Sequence, residues 1–242
     1  MRKTTALLLF IFLLAALYFY IYIQLKPAGS IMPSKKVSVE TRAKRIGEKI
    51  VYDIKYGAVT IGTSRFSCLA DSQIGGSVVN VMTLSTEAPH FKDTETIYSY
   101  PDSNLPLRVE RYISRWPFWE KITEEYDQKN CTVNIIRDNG KKSVIKKDSA
   151  VNNAVLLPYF IRYVNNIGPG WAMAVTLPTQ QFSVAFVSIE DLEVPAGKFK
   201  AYHFRSEPKK FEIWITADER RIPVKIQGLG VFGYAMLMRE YN

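Results

Sequence analysis

From residue 47 onward the chain alternates apolar and polar positions. Between Glu48 and Val59, Ile50, Tyr52, Ile54 and Tyr56 share one side, with Lys49, Asp53 and Lys55 on the other. Side chains of a strand point alternately to opposite faces, so this period of two predicts a half-buried strand. The pattern recurs through Lys210–Thr216 (Phe211, Ile213, Ile215) and Arg221–Gln227 (Ile222, Val224, Ile226). Gly57 and Gly62 bracket an expected short turn. Asp138-Asn139-Gly140 joins Cys131–Arg137 to Lys141–Lys147, and Asn-Gly supplies the positive φ angles of a tight hairpin. Pro117 separates Leu105–Arg115 from Phe118–Gln128; lacking an N–H for a ladder, it marks a bend or an edge. The reading gives about eleven strands. Their short links predict antiparallel pairing, and a sheet of that width must curl to cover a core and protect its edges.

The period changes twice. Over Ala150–Val164 apolar residues lie nearly all round, after Asp148-Ser149, which can cap a helix. One buried helix is expected there, kinked or restarted at Pro158. The second change is Thr4–Leu25, 22 residues without a charged side chain. As a helix it spans about 33 Å, enough for a hydrocarbon core of about 30 Å. Arg2 and Lys3 precede it and Lys26 follows, so the positive-inside rule puts the large C-terminal part outside the cytoplasm. An uncleaved signal anchor is expected, single-pass in the cytoplasmic membrane. The alternative is a cleaved signal peptide, but its apolar core is usually only about 7–15 residues. The organisation that follows is an anchor over 1–25, a basic linker rich in Pro, Gly and Ser over 26–46, and one β-rich domain over 47–242.

Composition changes this picture little. The first 30 residues hold three basic and no acidic side chains, so 29 basic and 23 acidic ones remain, a net +6. That bias fits a solvated surface, or attraction to anionic headgroups or acidic polysaccharide. No basic motif interleaved with aromatics points to nucleic acid. Cys68 and Cys131 are too few for a disulfide scaffold or a zinc site. Two readings of them stay open: buried thiols, or one bridge in an oxidising compartment. His90 and His203 are the only histidines; His203, on a strand face, is expected to be a structural hydrogen-bonding residue. No metal or other cofactor is implied.

No catalytic signature is present. The densest unusual cluster is Arg115-Trp116-Pro117-Phe118-Trp119-Glu120. Such aromatics fill cores, line lipid cavities or stack on sugars. Trp116, Phe118 and Trp119, together with Tyr159 of the expected helix, are therefore the candidate ligand-lining residues. Glu120 and Glu124 share a strand face, but lie about 13 Å apart along it, too far for paired glycosidase carboxylates.

Three stretches carry a resemblance. They are Gly47-Glu48-Lys49-Ile50-Val51-Tyr52-Asp53-Ile54-Lys55-Tyr56-Gly57 with Gly62-Thr63; Val194-Pro195-Ala196-Gly197-Lys198-Phe199-Lys200-Ala201; and Ile213-Trp214-Ile215-Thr216-Ala217-Asp218 leading into Arg221-Ile222-Pro223-Val224-Lys225. In this order they resemble the bacterial exported proteins called domain of unknown function 3108, over residues 46–241. The resemblance implies an envelope protein whose curved antiparallel sheet wraps a helix, as lipoprotein-carrier folds do. It brings no catalytic residues. Asp148 and Arg162 fit its pattern around the helix, whereas Asn152, Asn153 and Pro158 depart from it. The expected fold is thus mainly β, a large curved antiparallel sheet or open barrel-like body with one helix in its concavity. The expected function is non-enzymatic: a tethered envelope domain binding an amphipathic ligand, lipid or envelope polysaccharide, or a partner. The alternatives are a glycan-acting enzyme using Glu120 or Asp93, and a purely structural component. Nothing in the sequence sets an oligomeric state.

Overall fold

The computed structural model describes residues 45–229 and 233–242. Among these residues fifteen strands form a single antiparallel sheet, more than the alternation alone separates. A first meander comprises β1 (Lys49–Tyr56), β2 (Val59–Cys68), β3 (Ser72–Ile74), β4 (Ser77–Ala88), β5 (Phe91–Ser99), β6 (Pro106–Arg115), β7 (Phe118–Asp127), β8 (Thr132–Arg137) and β9 (Lys142–Lys146). After α1 (Leu157–Ile161) a second follows: β10 (Ala172–Thr176), β11 (Gln181–Val194), β12 (Gly197–Glu207), β13 (Phe211–Thr216), β14 (Pro223–Gly228) and β15 (Ala235–Tyr241). The spatial order is β10-β11-β12-β13-β14-β15-β1-β2-β4-β5-β6-β7-β8-β9, with β3 pairing only β4. The second meander therefore starts at the far edge and works back, until β15 pairs with β1. At this seam Lys49 and Asn242 exchange both backbone hydrogen bonds, at 2.8 and 3.0 Å.

The sheet curls enough for one short helix to meet both halves. Leu157 and Ile161 pack with Val175, Phe182, Phe204 and Ile213 of the second meander. Leu156 and Tyr159 pack with Ile50, Phe66 and Ile97 of the first. Register shifts at Val51/Tyr52, Ile54/Lys55 and Phe186/Ser188 mark bulges, which bend and twist a strand. The segment after β9 ties the end of β7 to the edge strand β10. Val151 and Gln128 exchange two hydrogen bonds of 2.9 Å, and the Asn152 N–H donates to the Thr176 carbonyl on β10 at 2.7 Å.

That segment corrects the helix expected over Ala150–Val164. Only Leu157–Ile161 is α-helical. Upstream, Val151 and Asn152 give their backbone donors to tertiary partners, and the Asn153 side chain accepts from the N–H groups of Val155 and Leu156. Pro158, in the first turn, has no N–H to bond back toward residue 154, so it starts the helix rather than kinking one. The Asp148-Ser149 cap is not used.

A second correction concerns Gly62. The turn between β1 and β2 is Gly57-Ala58, with Gly57 at φ 58°. Gly62 lies inside β2, where a Cβ would stand 2.5 Å from the Glu87 carbonyl oxygen. Its missing side chain lets β2 and β4 approach. Thr4–Leu25 lies outside the described residues; among those, no helix is long and apolar enough to cross a membrane.

Candidate functional site

Strands β6 and β7 meet in a hairpin in which Arg115 faces Phe118 and Trp116-Pro117 forms the turn. Pro117 thus sits where a missing donor costs no ladder bond. The last well-buried side chains on these strands are Ile113 and Ile122. Beyond them the hairpin runs out past the core, and Trp116, Phe118 and Trp119 are 80, 76 and 61% exposed. Full burial of a large apolar side chain is worth about 1.5–3 kcal/mol, and folding leaves that unclaimed here at three neighbouring positions. Trp119 stacks on Tyr112 with ring centroids 6.4 Å apart. The Arg115 guanidinium lies 6.0 Å from the Phe91 ring centroid. An open groove of about 690 Å³ lies along the hairpin, bordered by Ile113, Arg115, Phe118, Trp119 and Glu120 and by Asp138 and Asn139 of the β8–β9 turn.

Tyr159, grouped with these three residues by sequence, is not brought to them. It is buried on α1 and stacks on Phe66, centroids 3.6 Å apart. Beside the helix Tyr159 packs in the core with Ile50, Phe66 and Leu156, whereas the exposed aromatic surface is on the hairpin. Cys68 and Cys131 are both free thiols, so the bridge open to them in sequence is not formed. The Cys68 thiol lies 3.8 Å from Glu48 Oε2; burial, reinforced by that carboxylate, pushes it up to about 12. Cys131 precedes β8 rather than lying in it, and its thiol donates to the Gln128 carbonyl at 3.7 Å.

The carboxylates weighed for glycan chemistry are engaged elsewhere. Asp93 accepts two hydrogen bonds from Arg111, and Glu120 pairs with Arg137 across β7 and β8. His203 is buried, stacks on Trp214 at 4.4 Å and holds its Nδ1 2.8 Å from Glu190 Oε1. Among the described residues no three His, Cys, Asp or Glu side chains are grouped to hold a metal.

Sequence reasoning missed the pairing at the opposite end of the sheet. Arg162, just after α1, donates from Nη1 and Nη2 to the two oxygens of Glu48, each at 2.7 Å. Their side chains are 1 and 5% exposed. Arg162 also donates to the Arg220 carbonyl, and the Tyr241 hydroxyl donates to Glu48. Burial disfavours the charge on Arg162, but the Glu48 bonds and charge outweigh it and hold the guanidinium above its ordinary value. Burial likewise pushes the Glu48 carboxyl up; Arg162 outweighs it and brings the group below its usual 4.5. A lone arginine in the apolar run Ala154–Val164 was the available signal, since such a charge needs a partner. Glu48, 114 positions away, gave none. This pair is closed to solvent and acts as a structural tie.

Fold and site together define a class: an open, β-barrel-like antiparallel domain that displays its aromatic surface on a hairpin tip. Residues 51–238 match the sequence profile of the family described as protein of unknown function DUF3108, and the chain belongs to that family. A β-barrel-like protein of domain of unknown function DUF1849 from Brucella abortus has a similar structure, with a TM-score of 0.50 at 6% identity, covering 82% of this chain and 98% of that one. At that identity the likeness is one of fold. A Bacteroides fragilis protein with a YmcC-like fold, provisionally named as exported, superposes with a TM-score of 0.30 at 8% identity over 89% of this chain and all of the other. A provisionally named lipoprotein of Parabacteroides distasonis gives 0.31 at 10% identity, covering 81 and 95%. No curated protein matches the sequence.

Proposed function

We propose that this chain is a membrane-tethered protein of the cell envelope that binds an amphipathic ligand through the β6–β7 hairpin, without chemical conversion. The observation that carries the reading is the exposure of Trp116, Phe118 and Trp119 beside an open groove. Aromatic rings with wet surroundings suit a ligand that is apolar at one end and polar at the other. Arg115 and Asn139 border the groove and would meet the headgroup of such a ligand. The uncharged run Thr4–Leu25 would hold the body at the cytoplasmic membrane, on its outer side.

The test uses the full chain in neutral detergent and a lysophospholipid carrying a photoactivatable diazirine on its acyl chain. After illumination and digestion, mass spectrometry is expected to find the lipid on the peptide holding Trp116–Trp119. Labelling there should fall at least about fivefold when Trp116, Phe118 and Trp119 are all changed to Ala, in line with the share that a few aromatic anchors carry in binding surfaces. Labels concentrated elsewhere, or unchanged in the variant, would overturn the reading.

A further inference from the structure

The β6–β7 hairpin does not stand alone. The strand order brings four turns to the same end of the sheet: Tyr56–Val59, Ala88–Phe91, Trp116-Pro117 and Asp138–Gly140. The β4–β5 and β6–β7 tips are in register: Phe91 faces Arg115, and the Trp116 N–H donates to the His90 carbonyl. The β8–β9 turn stops short of them, its Asp138 N–H donating to the Lys121 carbonyl inside β7, so the β6–β7 tip also projects beyond that neighbour. Strand β2 begins four residues before its first pairing with β4, so the β1–β2 tip projects beyond its neighbour. That projecting tip is also apolar and exposed, at Tyr56, Val59 and Ile61. Two aromatic or aliphatic tips thus flank the β4–β5 turn on one rim.

The charge of this rim has a sign. The stretches 55–61, 87–92, 115–121 and 137–142 contain seven basic and three acidic residues. Two of the acids are already neutralised, Glu87 by Lys92 and Glu120 by Arg137. Exposed Trp and Tyr at the level of headgroups, with Lys and Arg beside them, is the arrangement by which proteins seat on anionic membrane surfaces.

The chain enters the sheet at the other end, at Lys49. Between the apolar run and the first described residue, Arg45, lie 19 residues, which fully extended reach about 65 Å. The longest strand of the first meander, β4, has 12 residues and measures about 40 Å. The rim can therefore reach the bilayer that holds the apolar run as well as one facing it.

We infer that this rim, with the β1–β2 and β6–β7 tips as its two apolar contacts, docks on a lipid bilayer surface bearing anionic headgroups. The inference rests on the reading of the hairpin given above and names what the hairpin meets: the bilayer itself. Tryptophan fluorescence tests it directly. The chain has four tryptophans, and Thr4–Leu25 contains none. The full chain is reconstituted into vesicles of acyl-brominated phosphatidylcholine, with or without brominated phosphatidylglycerol. Trp116 and Trp119 are two of the four emitters, so emission with phosphatidylglycerol should drop by up to about half, as rings that settle at the interface meet the bromines. The loss should disappear in Trp116→Phe/Trp119→Phe, whose remaining Trp171 and Trp214 serve as the internal control. It should shrink at least about twofold without the anionic lipid. A Tyr56→Ser/Val59→Ser/Ile61→Ser variant should also weaken it.

Unquenched emission overturns the inference; it is the result expected if the rim meets a second copy or another protein. Quenching that persists in the Trp116→Phe/Trp119→Phe variant overturns it too, because another face would then be on the lipid. Lysophospholipid labelling at residues 116–119 without any quenching would leave the ligand-binding reading standing while this one falls.

Discussion

The two ends of the sheet handle polarity in opposite ways. Where the chain enters and leaves, a full ion pair, Glu48 with Arg162, is shut away from water and bonded on both sides. At the rim, three of the largest apolar side chains in the protein are left in water. Buried charges are costly unless paired, and breaking such a pair is costlier than making it. That end is therefore explained by folding: the pair holds the residue after α1 against the start of β1. Folding gives no reason for the rim. Exposed single apolar residues are ordinary; a group of them set on projecting tips is what the proposed bilayer contact would account for.

Arg162→Ala should destabilise the protein by about 3–5 kcal/mol, because Glu48 is left charged and buried. Denaturant unfolding reads this as a lower midpoint. Glu48→Leu/Arg162→Met should be clearly less destabilised than Arg162→Ala, although the Tyr241 hydroxyl and the Arg220 carbonyl lose a partner. Equal losses in the two variants would mean that the pair is not an energetic unit.

Acid sharpens the same contrast with a smaller effect. The Glu48 carboxyl is held below its ordinary value of 4.5. The unfolded chain takes up a proton there first as pH falls, so the stabilisation is complete above the ordinary range and is lost as pH drops through the lowered value. One such group contributes a slope of at most about 1.4 kcal/mol per pH unit. In Arg162→Ala the sign should reverse at this residue, since an unpaired buried carboxyl binds its proton more tightly when folded. Midpoints compared at neutral pH and at pH values below 4.5 would show wild type losing stability and the variant losing less or gaining. Parallel profiles would remove Glu48 from the account.

The smallest effect belongs to the rim. Changing Trp116, Phe118 and Trp119 to Ala should each shift stability by no more than about 0.5 kcal/mol, as exposed positions do. A triple variant that unfolds far earlier than wild type would place these rings in the fold after all.

The alternation of Ile50, Tyr52 and Ile54, the Asn139-Gly140 hairpin and the break at Pro117 were all readable, because each is a local signal with a local cause. So was family membership, through the stretches around Gly47, Val194 and Ile213. The extent of the helix was not. The apolar run Ala150–Val164 looks helical, yet its first half binds Gln128 beyond β7 and Thr176 on β10, both distant in sequence. Gly62 looked like a turn residue because its real neighbour, the Glu87 carbonyl, arrives only with the sheet. Trp116, Phe118 and Trp119 could be singled out, but their exposure could not, since period two assigns faces and not depth. Tyr159 was placed with them on aromatic character alone, which says nothing about which end of the sheet it reaches.

The seam between β1 and β15 has a consequence for how the protein comes into being. Each meander can zip along hairpin by hairpin, but β1 keeps one row of N–H and C=O groups unsatisfied until the last strand arrives. A chain made or exported from its N-terminus would therefore carry an open edge through almost the whole of its emergence. Closure joins residues nearly two hundred positions apart, and such long-range closure is slow. The open β1 edge is thus most exposed to self-association until β15 is delivered, and a chaperone that shields one naked strand would protect it best before that moment.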